Sequence, residues 1–373
     1  MHIALLGTRG IPARYGGFET FAEELSTRLV CRGHRVTVYC REPFANDRYR
    51  GVSLVYLPTI RHKYFDTLAH TLLSTLHLIW NRADVALYCN AANACFTPLA
   101  RLFHIPVALN VDGLERKRKK WNRLARGWYR LSEWLSTFCP TVMVTDAEKI
   151  QAYYLAEYRK ESTFIPYGAA LGKVSGVSTL VELGLQPDKY FLYVSRLEPE
   201  NNGLLVREAF ERVKTPLKLA LVGDAPYADA YIEKIRNTSD SRVVLPGAIY
   251  GDGYHQLQSH CFAYIHATEV GGTHPALIEA MGRGAVVLYL ETAENAEVAA
   301  GVGIAFTRET LTEKIGLVLE MTEAERCALG KLAMARVSER YSWEAVTDRY
   351  ERLLAGMKKK RVSNPPQVDN LPH

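Results

Sequence analysis

The sequence has little that would tie it to a disulfide framework, a metal or a membrane span. Its seven cysteines, Cys31, Cys40, Cys89, Cys95, Cys139, Cys261 and Cys327, are odd in number, and no two are spaced Cys-x-x-Cys. That argues against a stapled secreted fold or a structural zinc site and makes a reducing cytoplasm the expected compartment. No Asp-x-Asp motif occurs, so no metal is expected. Met1–Gly7 has neither a basic n-region nor a long apolar h-region, and no signal peptide is read there. The most membrane-like stretch, Thr67–Trp80, carries His70, Ser74 and His77 and is shorter than the ~20 apolar residues of a spanning helix. Charge of one sign is barely in excess. Lys and Arg number 46 against 40 Asp and Glu, a net +6, which suits anionic partners but gives no reason to expect nucleic acid. No internal repeat of solenoid period is present.

What remains is a 373-residue chain with 48% hydrophobic residues, too long for one ordinary core and about right for two domains. Ile3–Leu6 is a short apolar run of the kind buried in a parallel sheet. The glycine-rich loop Gly7–Gly17 follows. Phe18, Phe21, Ala22, Leu25 and Leu29 then repeat at helical spacing, Gly33 sits at a C-cap position, and Val36–Tyr39 is the next strand. Further strand-like runs fall at 54–57, 85–88, 106–109 and 141–144. A reversal at Ile165–Gly168 precedes a second series at 190–194, 217–222, 242–245, 262–266 and 285–288. Alternating strands and helices in both halves predict an α/β protein with two doubly wound, Rossmann-like domains facing across a cleft. The expected boundaries are 1–170 and 171–341, a closing helix at 342–357 that completes the first domain, and a basic disordered tail at 358–373.

Three segments carry chemistry. In Gly7–Gly17 the glycines are not spaced Gly-x-Gly-x-x-Gly, which disfavours a nicotinamide or flavin dinucleotide. Gly16 and Gly17 stand at a helix start, where the dipole favours an anion, and Arg9 and Arg14 add charge. Arg196 follows a buried-looking strand and should face the cleft, where a guanidinium can hold two phosphate oxygens. In Gly271-Gly272-Thr273-His274-Pro275 the glycines precede a helix with proline in its first turn, so the amides near Thr273 and His274 would seat a pyrophosphate. Glu279 lies one turn into that apolar helix and would be satisfied by ribose hydroxyls, or alternatively by Arg283.

Taken together, these segments resemble the family 4 retaining glycosyltransferases of GT-B architecture over nearly the whole chain. The matches are Gly16-Gly17-Phe18-Glu19, Gly33-His34-Arg35-Val36, Thr145-Asp146 with Tyr153, Ile165–Gly168, Ser195-Arg196-Leu197, Thr273–Met281 and Tyr341-Ser342-Trp343. The first loop, Asn110–Glu115 and Glu198–Asn202 resemble a bacterial rhamnosyltransferase-like branch of capsule and O-antigen assembly. The resemblance implies that Arg196 binds the donor diphosphate and Glu279 its ribose. Gly271, Gly272, Thr273 and His274 would hold the phosphates, Gly16 and Gly17 would border them, and Asp112 would stand beside the sugar. Asp112, Arg196 and Glu279 are thus the expected catalytic set, with Arg9 and Asn201 added to the donor contacts. Three positions depart from the family pattern. Asn201 replaces a lysine, Asp112 replaces a histidine, and Gly271 stands where the first of two paired glutamates belongs, with Glu269 two residues displaced.

Arg116-Lys117-Arg118-Lys119-Lys120-Trp121, with Trp128 and Trp134 beyond, reads as an interfacial segment for an anionic membrane and a lipid-borne acceptor. The resulting expectation is retaining transfer of a sugar from a nucleotide-sugar, first dTDP-L-rhamnose, to a hydroxyl of a lipid-linked or oligosaccharide acceptor. The enzyme would be peripheral on the inner face of the plasma membrane. No cofactor is expected, the nucleotide-sugar being a co-substrate. A GT-B nucleotide-sugar epimerase and a non-catalytic nucleotide-sugar-binding protein are the alternatives.

Overall fold

The computed structural model describes residues 1–14, 16–60, 62, 65–118, 121–225 and 228–363, with side chains to 359. Among the described residues the strands form two sheets. The first holds β1 His2–Leu6, β2 Arg35–Cys40, β3 Arg48–Tyr49, β4 Val52–Tyr56, β5 Val85–Cys89, β6 Val107–Asn110, β7 Val142–Thr145 and β8 Thr163–Phe164. The second holds β9 Tyr190–Val194, β10 Lys218–Val222, β11 Val243–Gly247, β12 Ala263–His266, β13 Val287–Leu290 and β14 Ile304–Phe306.

The first sheet runs β3-β4-β2-β1-β5-β6-β7-β8 and the second β11-β10-β9-β12-β13-β14. All pairings are parallel except β3 with β4. Both faces of such sheets are covered, which explains why β5 and β12 are buried throughout. The two-residue β3 and β8 are too short to show a period, and the predicted reversal near Ile165 begins just after β8.

In each sheet the chain winds outward from a central strand, then returns to wind the other way. The switch points lie between β1 and β5 and between β9 and β12. Ligands in doubly wound sheets sit at the carboxyl ends of strands beside such a point. The loops there are Gly7–Gly17 after β1, Ser195–Asn201 after β9 and Ala267–His274 after β12. Topology thus brings the three predicted segments to the mouth of one cleft.

The last helix, Trp343–Ser363, crosses back to the first sheet. Tyr350 accepts a 3.0 Å bond from Asn110 Nδ2 and packs on Phe21, while Arg32 reaches Glu344, Asp348 and Glu351 at 2.6–3.0 Å. This helix is longer than the sequence pattern predicts. Lys358–Arg361 lie within it and not in a disordered tail, and Lys358 bonds Asp84 at 2.9 Å. Lys, Arg and Val are all compatible with a helix, so charge alone did not end it. Residues 364–373 lie outside the described part.

Candidate active site

The first loop is held by its own following helix, Gly17–Cys31. Glu19 accepts the Arg9 amide at 2.9 Å and Glu23 the Ala13 amide at 2.7 Å. Gly7, at φ +90°, presses on β5: a side chain there would stand 2.3 Å from the Cys89 carbonyl. The loop therefore lies flat and delivers Gly16 and Gly17 to the cleft. A Cβ on Gly17 would come within 2.9 Å of Pro275 of the second domain. Arg9 lies 3.9 Å from Asp66, and the exposed Arg14 lines the cleft.

Arg196 leaves the end of β9, partly exposed, with Glu198 Oε2 4.0 Å away. Asn201, where a lysine was expected, is buried and donates its amide to the Arg196 carbonyl at 2.6 Å. Its NH₂ thus fixes the arginine loop and does not reach toward a ligand.

The loop before the helix Pro275–Gly282 touches the first domain. The Thr273 amide donates to Asp146 Oδ2 at 2.7 Å, and the Thr273 hydroxyl also bonds the Asp146 carbonyl. This corrects the pyrophosphate-seat expectation in part, because one of its amides is engaged by a carboxylate of the opposite domain. Asp146, to which the sequence motif assigned no role, is buried, and desolvation and the nearby Asp112 raise its carboxyl pKa well above the usual range. The His274 ring folds over Gly271, where a Cβ would meet it at 2.9 Å, and contacts His266 edge to face at 4.8 Å. Burial and the nearby Arg118 push its pKa down to about 3, so it is neutral. That ring covers the position where the family's first glutamate would begin. Glu269 pairs with Arg308 instead.

Glu279 accepts a 2.5 Å bond from Tyr254, which in turn accepts from Gln258 at 2.8 Å. Burial raises its pKa, and the tyrosine bond partly offsets this. Arg283, the alternative partner, donates to the Gly172 carbonyl at 2.7 Å.

Asp112 follows β6 in the left-handed region at φ +59°, its amide bonded to Asn110 Oδ1 at 3.0 Å. Burial and Glu115 push its carboxyl up to about 6, against the pull of Arg118 and Arg196. One cavity of about 1670 Å³ is lined by Gly16, Gly17, Asp112, Arg196, Asn201, Gly271–His274 and Glu279. The predicted donor residues are therefore together.

The predicted membrane segment is not. Arg116 bonds Glu133 at 3.0 Å and Tyr153 at 2.8 Å. Arg118 is only 6% exposed and bonds Glu115 at 2.5 Å, which also accepts from Trp121 at 3.3 Å. Glu115 and Glu133 draw the run into the fold. Lys117 alone is exposed, and Lys119 and Lys120 lie outside the described residues. Arg118 also lines the cavity, a position that nothing in the basic run foretells.

Two facing doubly wound domains, with an arginine, an amide loop and carboxylates lining the cleft, are the arrangement of GT-B architecture. Known proteins agree. The model of Glycosyltransferase Family 4 matches residues 15–168 and that of Glycosyl transferases group 1 matches 188–320. No curated protein sequence matches the chain. Among solved structures it is similar to sucrose-phosphate synthase from Thermosynechococcus elongatus, at 18% identity and TM-score 0.78 over 96% of this chain and 99% of that one. It is similar to Anabaena HepE in complex with UDP-glucose, at 15% identity and TM-score 0.77 over 95% and 100% of the two chains. WaaG, a glycosyltransferase involved in lipopolysaccharide biosynthesis, matches at 16% identity and TM-score 0.72 over 95% and 100%. The chain is a glycosyltransferase of GT-B architecture, its first domain matching the Family 4 model and its second the group 1 model.

Proposed function

We propose that this glycosyltransferase moves a sugar, with retention, from a nucleoside diphosphate donor to a hydroxyl of a lipid-linked or oligosaccharide acceptor in cell-surface polysaccharide synthesis. The supporting observation is the shared cavity, in which Arg196 and Gly271–His274 of one domain face Gly16, Gly17 and Asp112 of the other. Arg196 and the free amides of 271–274 would meet the charge growing on the departing diphosphate. The acceptor oxygen bonds the sugar C1 on the face the phosphate leaves. Its proton passes to the departing phosphate oxygen, giving glycoside and nucleoside diphosphate. These groups would do the charge work without a metal. Asp112 would orient the sugar as a carboxylate. dTDP-L-rhamnose is the first donor to test, and HepE's UDP-glucose argues for including UDP-sugars. The test is product analysis after incubation with candidate donors and membrane extract. Glycosylated lipid plus free nucleoside diphosphate supports the reading, and an altered nucleotide-sugar would make the protein an epimerase.

Asp112 gives a pH prediction. Its carboxyl loses its proton as pH rises through about 6, so transfer should decline below that value. Asp112→Asn should remove this acidic limb. Because the folded-state pKa is raised, ionisation costs stability as pH rises from the ordinary carboxylate range through about 6. Asp112→Asn should therefore melt higher than wild type at pH 7 and lose that advantage at pH 4.

Membrane attachment, on the cytoplasmic face, has a better carrier than the basic run. Trp134, Phe138, Leu102 and Phe103 are exposed on neighbouring elements, joined by Arg101, which donates to the Phe138 and Cys139 carbonyls at 3.2 and 2.6 Å. Leu124 is 85% exposed and Trp80 90%. Arg82, Arg123 and Arg126 are exposed on the same helices or at their ends, whereas Glu133 is buried. An aromatic face bearing cations suits anionic lipid, and the exposed carboxylate beside it, Glu157, is paired with Arg130. The double variant Trp134→Ser, Phe138→Ser should lower sedimentation with phosphatidylglycerol vesicles by roughly tenfold. Undiminished sedimentation would remove this face.

A further inference from the structure

Arg118 is out of place for a member of a solvated basic run. It is buried, it reaches across the cleft, and its Nη1 makes no hydrogen bond. Nη1 lies 3.9 Å from Glu198 Oε2 and 4.0 Å from Glu200 Oε1, both on the arginine loop of the second domain. The same Glu198 oxygen is 4.0 Å from Arg196 Nη2. One carboxylate oxygen thus sits between two guanidiniums contributed by opposite domains. All three residues line the cavity that holds Gly271–His274.

The second domain by itself offers only one cation to the diphosphate from this loop, because Asn201 is neutral and spends its amide on the Arg196 carbonyl. A departing nucleoside diphosphate develops charge that a second guanidinium beside Arg196 and the amides would stabilise further. Arg118 also interacts with Asp112 and with His274, the groups that border the sugar side of the cavity.

We infer that Arg118 is a donor-binding residue, the second guanidinium of the diphosphate seat, carried in by the first domain and directed at the phosphate nearer the sugar. The inference rests on the donor reading of the cleft given above. It makes the seat complete only when the domains are together, so that leaving-group stabilisation depends on closure. Glu115 orients the guanidinium through its Nε, leaving the outer edge for phosphate oxygens. Glu198 holds the two arginines apart until an anion with more oxygens takes its place.

Calorimetric titration of wild type, Arg118→Gln and the double variant Arg118→Gln, Asn201→Lys tests it, using UDP, dTDP and the matching monophosphates. For the nucleotide that wild type binds, Arg118→Gln should weaken the diphosphate roughly ten- to hundredfold while the monophosphate changes less than about twofold. Asn201→Lys should restore much of the loss by returning a cation from the other side. Arg118→Lys, which keeps the buried charge balanced, should fold normally and show an intermediate loss confined to the diphosphate. Diphosphate affinity within twofold of wild type in Arg118→Gln overturns the inference. Equal losses for mono- and diphosphate in both Arg118 variants, with a lower melting temperature and no rescue by Asn201→Lys, also overturn it and make Arg118 a brace between domains. If wild type binds no nucleoside diphosphate, the donor reading itself fails, a result visible before any variant is compared.

Discussion

Arg196→Ala is expected to lower kcat/KM for sugar transfer by roughly two to three orders of magnitude, the cost of removing one preorganised donor from a developing anion. The side chain stands at the carboxyl end of β9, at the switch point, and the loop carrying it is tied down by Asn201 and by Tyr193, whose hydroxyl bonds the Asn201 carbonyl at 2.6 Å. It contributes nothing to any of the three hydrophobic clusters. The variant should therefore fold and melt near wild type, with the loss confined to chemistry and diphosphate binding. Arg196→Lys should recover only part of the activity, because a point charge cannot hold two oxygens at once. Wild-type turnover in Arg196→Ala, with the protein folded, would remove the assignment.

Gly113→Ala is expected to cost about a hundredfold in turnover, the scale set by small misplacements of reacting groups. The glycine follows Asp112 in the first domain. A Cβ there would lie 2.4 Å from the Gly271 carbonyl carbon and 2.6 Å from the Gly272 amide nitrogen of the second. Both are backbone atoms and cannot swing aside. Gly113 is not among the residues with positive φ, so alanine imposes no local strain and acts by keeping the domains apart. The bond between Thr273 and Asp146 would then lengthen or break. Small-angle scattering should report a larger radius of gyration, with a melting temperature little changed. Unchanged activity together with an unchanged radius would show that this approach of the domains is not needed. Gly272→Ala strikes the same contact from the other side. Its Cβ would meet the buried Asp146 carboxylate at 2.3 Å and turn it from the Thr273 amide, so a loss in the same direction is expected.

Much of this site was legible in the sequence because its parts are local. A four- or five-residue apolar run is a buried strand whatever surrounds it, and β1, β5, β9 and β12 fall within a residue or two of where their runs predict. Glycines at strand ends mark loops, and the loops beside the switch points carry glycines after β1 and β12 and an arginine after β9. The misread parts were those decided by partners far along the chain. Arg118 looks like its neighbours in the basic run, yet Glu115 and the distant Glu198 and Glu200 draw it into the cleft. Arg116 is fixed by Glu133 and Tyr153. Asp146 sits at the end of β7 as an ordinary acid and gains its contact only where the second domain arrives. The replacement of a glutamate by Gly271 is intelligible only once the His274 ring is seen covering it. The short β3, β8 and β14 escaped because two or three residues carry no period.

The central claim is that the cleft between the domains binds a nucleoside diphosphate through Arg196. Isothermal titration of UDP and dTDP into the wild-type protein and Arg196→Ala tests it most directly. Saturable binding of at least one of them at a single site, weakened at least about tenfold in the variant, is the predicted result. Absence of binding to both nucleotides, or equal affinity in the two proteins, would contradict it.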